Sequence, residues 1–523
     1  MSLCCAVALS FAAGRWLQGQ TSAPATNADE ATRCRACHAY EVDGFARSKM
    51  SHSMRVGGQE PTGVVHTSAS TISMHSDKQG SWQTLQSGPS TTSYHVDYVI
   101  GSGTHASGYI MDLGDHLFQS PVAYYRSRQS YDLAPGYEGT ADPDFTRPIG
   151  EGCLFCHAGT FDAVPGSENR YAKAPFPHLA IGCNRCHGPT ALHLANPDAR
   201  NIVNPAKLEP ASRDSVCEQC HLKGVARVLN PGKKFTDFRA GAPLEDTFTI
   251  YHDEAPKGSE GAFRVISHSE QLAVSECKRN SGDRLWCGTC HNPHNEPHNE
   301  PTEAVSYYRA KCLQCHAKTT FAADHPPKTS DCISCHMPKR NAADGGHTAF
   351  TDHRIQRKPA NQVTEEAVAI VPWRAPSAML ATRNLGIASV ETGLERRSGK
   401  LIVSGYRMLT EVQAQFPEDS EMYTTLGSAL LAGRQYSEAV QAFALAVRFD
   451  PKSSPKEANL GQAYAALGDH ALAEEHLEKA MDFDPLNLSA AFRLIGMYKA
   501  NGDGAKADEL SRRLTSIVQA GNH

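Results

Sequence analysis

The spacing of apolar residues divides the chain into two unlike parts. Beyond about residue 360, Ala, Leu and Glu become frequent, and the apolar positions recur with a period of 34. Leu426-Gly427, Ala439, Ala446 and Pro451 return as Leu460-Gly461, Ala473, Ala480 and Pro485. Tyr464, Gly468 and Ala473 return as Tyr498, Gly502 and Ala507, and Phe443 adds a large apolar residue to the first unit. Upstream, Leu385-Gly386 and Pro417 predict one more unit carrying an insertion of about seven residues. Small and large residues at this spacing predict closely packed pairs of helices, three to four units in all, each burying the apolar face of the next.

Before residue 360 the pattern is short-ranged. In SYHVDYVIGSGTHASGYIMDL, partial alternation of β-branched and aromatic residues around Gly-Ser-Gly predicts a hairpin. FTDFRAG and FTIYHD give weaker strand or loop signals. Otherwise short helices, long loops and little regular sheet are expected. Residues 3–13 form an apolar run far shorter than the roughly 20 residues that cross a bilayer. Ala23-Pro24-Ala25 follows as an A-x-A cleavage pattern, so residues 1–25 read as a signal peptide or its remnant, without the usual basic n-region. Leu3-Cys4 also fits the remnant of a lipoprotein site.

Composition sharpens this division. Hydrophobic residues make up 40% of the 523 and aromatics only 7%, little apolar material for a chain of this size. The formal charge of -5, with no basic tract, argues against nucleic acid as a partner. The chain has 17 Cys and 25 His, and fourteen of the cysteines form C-x-x-C pairs followed directly by His. These are Cys34/Cys37/His38, Cys153/Cys156/His157, Cys183/Cys186/His187, Cys217/Cys220/His221, Cys287/Cys290/His291, Cys312/Cys315/His316 and Cys332/Cys335/His336. Only Cys4, Cys5 and Cys277 stand outside.

C-x-x-C-H is the attachment signal for c-type haem. Two thiols one helical turn apart reach the porphyrin vinyl groups, and the next residue lies under the iron as proximal ligand. Four-cysteine zinc sites would leave seven adjacent histidines unexplained, and a thioredoxin-like site needs only one motif. Seven covalently held haems c are therefore expected, their faces replacing much of the missing apolar core. Their propionates would make this part more acidic, with Arg126, Arg128, Arg147, Arg185, Arg227, Arg264, Arg340 and Arg354 as candidate partners.

Seven irons need seven distal groups, and fifteen histidines outside the motifs and the C-terminal part are available. His193 follows His187 by six residues, too short a tether to pass round the porphyrin, so it is expected to serve a neighbouring haem. The same holds for His294 and His298 after His291. The leading distal candidates are His52, His105, His193, His268, His294 and His353, followed by His347, His178 and His325. His66, His75, His95, His116 and His252 read as ordinary histidines.

The C-terminal pattern resembles the tetratricopeptide repeat family, with mild departures at Leu430 and Ser511. CHGPTALH, CGTCHNPH and DCISCHMPKR…HTAFTDHRI resemble multihaem c-type cytochromes in which the haem domain is fused to such repeats. The resemblance implies a mainly α protein: signal segment 1–25, multihaem domain 26–360 and an α-solenoid 361–523. It implies electron transfer through the haems, with redox proteins as donor and acceptor and docking through the repeats. Other readings are an oxidoreductase with one open iron acting on a small nitrogen or sulfur compound, and a structural subunit of a cytochrome assembly or filament. Haem attachment places the expected location in the periplasm or at the cell surface, with membrane association through a partner or lipid anchor.

Overall fold

The computed structural model describes residues 27–254, 263–297, 301–321, 323, 325–342, 344–357 and 369–521. The signal segment 1–25 and His298 lie outside the described residues. Among them, no helix is long and apolar enough to cross a membrane.

The expectation of little sheet is overturned. Gly63–His66, Ser70–Ser76, Ser81–Ser87 and Ser90–His95 form a four-stranded antiparallel meander. A second sheet orders Met54–Val56, Tyr98–Ile100, Ala106–Asp112, Val122–Tyr125 and Ser130–Leu133 side by side, with Leu117–Gln119 also paired to Ala106–Asp112. The expected hairpin is one piece of it: Tyr98 pairs with Ile110 across a turn in which Gly101 and Gly103 take positive φ of 102° and 72°. Val65, Ile72 and Met74 of the first sheet share one apolar cluster with Val99, Tyr109, Met111, Val122 and Tyr131 of the second. The outward positions of the meander are Ser, Thr and Gln, so its strands alternate without being apolar.

A third sheet joins Ala226–Leu229, Phe248–Glu254 and Ala369–Pro372. Its last strand comes from beyond residue 360.

The C-terminal part is four helical hairpins. They are Ala378–Glu395 with Gly399–Val412, Ser420–Ala432 with Tyr436–Phe449, Ser454–Leu467 with His470–Phe483, and Leu488–Asn501 with Gly504–Gly521. The 34-residue period has a steric origin. A Cβ on Gly427 would lie 2.7 Å from the Phe443 ring, and one on Gly461 2.8 Å from Leu477, so glycine lets each pair of helices close. Asp419, Asp469 and Asn487 cap helix starts by accepting from the backbone N–H of Met422, Leu472 and Ala490.

The hairpins lie along the N-terminal part at both ends. The third sheet packs Ala226, Val228, Tyr251 and Ile370 against Ile387, Ala388, Met422 and Tyr423. Here buried Arg383 bonds Asp419 and the Leu229 carbonyl, and Asn384 bonds Asn230 and Thr249. At the other end the two-sheet cluster continues into Ala458, Leu477, Met481, Ala490 and Leu494. Asp484 accepts from His116 Nε2 at 2.7 Å and from the Ser167 hydroxyl, and Ser454 N–H donates to the Gly166 carbonyl at 2.7 Å.

Candidate haem-binding sites

Each motif sits at or beside the end of a helix. Motifs two to seven lie on Glu151–His157, Asn184–His187, Pro210–His221, Cys287–Cys290, Pro301–His316 and Cys332–His336. The first lies within Asn27–Ala46, where helical geometry breaks at His38 (φ -121°, ψ 44°). One helical turn brings the two sulfurs of each motif to the same side. The break that follows frees the imidazole to turn across them. Among the described residues none of the motif cysteines is in a disulfide, and no three His, Cys, Asp or Glu side chains form a cluster that could hold a metal alone.

Four of the expected attachment sulfurs depart from the general arrangement. Cys37, Cys315 and Cys335, each the second cysteine of its motif, are exposed, as is Cys153, whereas the other ten motif cysteines are half-buried. At these positions the thiols open to solvent. The reason is local. The turns that carry them lie at the surface, with Ala36, His38, Gln314, His316 and Ser334 exposed beside them. Covalent attachment needs no enclosing pocket, so these thiols are reachable by a porphyrin edge where they stand.

The imidazoles meet in five facing pairs, two of which adjoin each other through His268 and His353, 4.8 Å apart. Ring centroids are 6.3 Å apart for His38 and His193, 5.8 Å for His187 and His294, 5.4 Å for His221 and His268, 6.1 Å for His291 and His353, and 6.1 Å for His336 and His325. Four of these pairs are within 29° of parallel; His221 and His268 are crossed at 82°. One metal bonded to a nitrogen of each ring, at about 2 Å on either side, would hold the centroids about 6 Å apart. Free imidazoles in contact would stack much closer, so the residues present fit an iron held between two histidines.

The nitrogens facing away from these gaps are tied down. Nδ1–H donates to the Val203 carbonyl from His187 (2.8 Å), to Asp198 from His193 (3.0 Å), to Thr351 from His353 (2.9 Å), to Gln356 from His336 (2.8 Å) and to Pro326 from His325 (2.6 Å). His291 Nδ1 bonds the Glu296 carboxylate at 2.7 Å. Such bonds fix the tautomer and leave Nε2 as a lone pair for a metal. Burial also keeps several rings neutral, the form that binds metal. It pushes His157 and His221 down, and His353 to about 4. It depresses His268 strongly, helped by His353 and His221. For His291 burial acts the same way, but the hydrogen bond and the charge of Glu296 together outweigh it and the ring shifts up.

Of the other distal candidates, His52 closes the short helix Met50–His52 and donates Nδ1–H to the Ser48 carbonyl at 2.9 Å, the same arrangement as the paired rings. His105 lies in the hairpin turn against Phe350; burial, with Lys49 and Lys339 nearby, lowers its pKa. His347 is placed differently: its Nε2 bonds Asp132 at 2.7 Å and its ring abuts Tyr125, so the nitrogen needed for iron is engaged. His178 pairs its backbone with Thr160 and leaves Nδ1 buried without a hydrogen-bond partner. Among the described residues, His157 and His316 have no imidazole opposite them. His325, ranked low from sequence, is brought opposite His336. Glu296, Asp198 and Val203 act on the rings through hydrogen bonds, and nothing in their sequence context marks them.

Sulfur contacts order the motifs. The Cys220 thiol hydrogen-bonds Cys156, lifting its own pKa and drawing that of Cys156 down to about 6. Cys217 similarly bonds Cys287, and Cys312 bonds Cys332. Motif two thus adjoins four, four adjoins five, and six adjoins seven. Cys290 acts on Cys312, and Cys315 acts on Cys290, linking five to six. His193 couples motif one to three, and His294 couples three to five. Motif five is the junction of this network.

Two family models match parts of the chain. A doubled CXXCH motif covers residues 279–321, and the tetratricopeptide repeat covers 420–453 and 458–485. Solved structures similar to part of the chain include MamA from Desulfovibrio magneticus RS-1, at 19% identity over 27% of this chain and 85% of that one, with a TM-score of 0.24. MamA MSR-1 (20% identity, 27% and 78%, TM-score 0.24) and MamA AMB-1 (22%, 27% and 78%, 0.23) are alike in extent. The chain joins haem c attachment motifs, a feature of electron-transfer proteins, to tetratricopeptide repeats, a protein-interaction architecture.

Proposed function

We propose that the protein carries seven covalently attached haems c and transfers electrons along them, outside the cytoplasm, with the repeats bracing the haem-bearing part and engaging other proteins. The five facing imidazole pairs carry this reading, because four of them join a motif histidine to a ring supplied by a distant segment. When bound, haem c supplies a one-electron iron couple at each motif. The chain fixes where those couples stand. His187 and His193, six residues apart, face rings from two different segments of the chain, as do His291 and His294. Motif five then branches toward motifs one, two and seven. Matured protein should weigh seven haems more than the polypeptide, retain them in acidified acetone, and show low-spin ferric signals for the paired sites. His193→Ala should turn the His38 site high-spin at unchanged haem count. A count well below seven, or no spin change in that variant, would overturn the reading.

One observation favours the oxidoreductase reading as the second. His157 is half-buried, and among the described residues no imidazole stands opposite it. Arg185 and Arg227 lie beside its motif, on the Phe155 carbonyl and the Cys156 sulfur. A stoichiometric high-spin signal in the unmodified protein, perturbed by a small nitrogen or sulfur anion, would move the assignment there.

A further inference from the structure

The lobe that carries motifs six and seven has an excess of cations. Residues 301–342 hold Arg309, Lys311, Lys318, Lys328, Lys339 and Arg340 against Glu303, Asp324 and Asp331, within a chain whose formal charge is -5. Asp331 is committed as a helix cap, accepting from the Ile333 and Ser334 N–H groups. Among the described residues, Arg309, Lys311, Lys318, Lys328 and Lys339 form no ion pair.

Several exposed cations elsewhere are matched with carboxylates: Arg35 with Asp43, Arg396 with Asp253, Lys479 with Glu475, Lys506 with Glu474 and Arg512 with Glu509. The segment around motif one, 27–49, is balanced, with Asp29, Glu30, Glu41 and Asp43 against Arg33, Arg35, Arg47 and Lys49. The cations of the lobe are also held in place. Lys328 Nζ donates to the Ala317 carbonyl at 2.6 Å and lies over Phe321, Arg309 donates to the Thr329 carbonyl, and Lys311 lies over Tyr307. These contacts bind the loop after His316 to the preceding helix. Lys318 and Lys339 are exposed at either side of it.

We propose that this lobe is the docking surface for an acidic electron-exchange protein, with Lys318, Lys339, Lys311 and Lys328 facing its carboxylates. The proposal rests on the relay reading, since it makes motif seven one terminus. Uncompensated, pre-positioned cations beside a terminal site raise encounter rates with a negative partner and set its orientation, at little cost to folding.

The test uses the haem-loaded full chain and two small redox probes, an acidic iron–sulfur protein and a basic monohaem cytochrome. Affinity and second-order electron-exchange rate are measured against ionic strength for the wild type, for Lys318→Glu/Lys339→Glu, and for the remote charge control Lys400→Glu. The double reversal should weaken binding of the acidic probe about tenfold at low salt and flatten its salt dependence, leaving haem count and potentials unchanged. The control should behave as wild type. Unchanged affinity in the double variant would overturn the proposal, and so would haem loss or shifted potentials, which would assign the cations to propionates. A wild type that binds the acidic probe in this lysine-dependent way without exchanging electrons would retain the docking surface and remove the relay.

Discussion

The four C-terminal hairpins and the segment bearing motifs five to seven are both helical, yet they are held together by different means. The hairpins bury Ala439, Phe443, Ala446, Leu477 and Ala480 within two continuous apolar clusters. None of the five apolar clusters draws on residues 263–357. That segment instead contains helices such as Cys287–Cys290 and Cys332–His336, four and five residues long, far too short to persist alone. Apart from Phe263 and Ala342, its buried side chains are polar ones, Gln271, Ser275, Thr348, Asp352 and Arg354 among them. Cys315 and Cys335 even stand open to solvent. The solenoid specifies itself through side-chain shape; the motif region waits for its cofactors. Chain made without haem attachment should therefore split in behaviour. Hydrogen exchange in 263–357 should become fast throughout, while 378–510 keeps slow-exchanging amides. Equal protection of the two regions in that material would break the distinction.

The contact between the hairpins and the third sheet is open to a smaller perturbation. Arg383 and Asp419 are 1% and 5% exposed and bonded at 2.8 Å, with the Leu229 carbonyl accepting a further guanidinium hydrogen bond. Arg383→Ala leaves a buried carboxylate without its partner, which costs about 3–5 kcal/mol. Chemical denaturation should show the loss as a lower midpoint. Because the pair straddles the first two hairpins and the third sheet, the spectral signal of the haem region should respond in the same transition.

How much of this was legible in the chain differs between the two regions for a physical reason. The repeat is written in Gly427, Gly461, Ala439 and Ala473 because helix spacing depends on each residue locally. The motifs were legible because haem attachment demands a fixed local spacing, but the exposure of Cys37, Cys315 and Cys335 was not, because spacing does not say which side of a turn faces solvent. The distal histidines were only partly so: His193 and His294 follow from tether length, whereas His325 opposite His336 and His347 against Asp132 are decided by tertiary placement. The two-sheet unit was missed because strands such as STISMHS and STTSYH turn Ser and Thr outward, so their alternation is one of size and burial rather than of strong hydropathy.

Within the solenoid the steric reading can be made sharper. Gly427→Val would push a branched side chain into the Phe443 ring, which lies 2.7 Å from the position of a Cβ. Overpacking of this kind costs about 1–3 kcal/mol. The melting temperature should fall while haem spectra at room temperature stay unchanged. Gly496→Ala, where a Cβ meets nothing within 4 Å, should be neutral or slightly stabilising and serves as the matched control.

The smallest expected effect concerns pH at the second contact of the hairpins with the sheets. His116 is buried, with both ring nitrogens bonded: Nε2 to Asp484 and Nδ1 to the Gly114 carbonyl and Asp115. Burial opposes its charge, but Asp484 and Asp115 prevail and its pKa is raised above 6.5. Burial likewise opposes ionisation of Asp484, and His116 and Ser167 prevail in lowering its pKa below 3.8. Arg170 on Asp115 and Glu168 near Asp484 are the other charges at this contact. The histidine contribution is complete below its unfolded pKa of about 6.5 and is lost as pH rises through the higher folded value. The aspartate contribution is complete above about 3.9 and is lost as pH falls through the lower folded value. Docking of the sheets on the last two hairpins should therefore be firmest between about pH 4 and 6.5 and weaken toward alkaline pH. His116→Gln should flatten the alkaline arm, and Asp484→Asn should flatten both. A stability profile against pH that keeps its alkaline slope in His116→Gln would assign that slope to other groups and leave the contact indifferent to proton concentration.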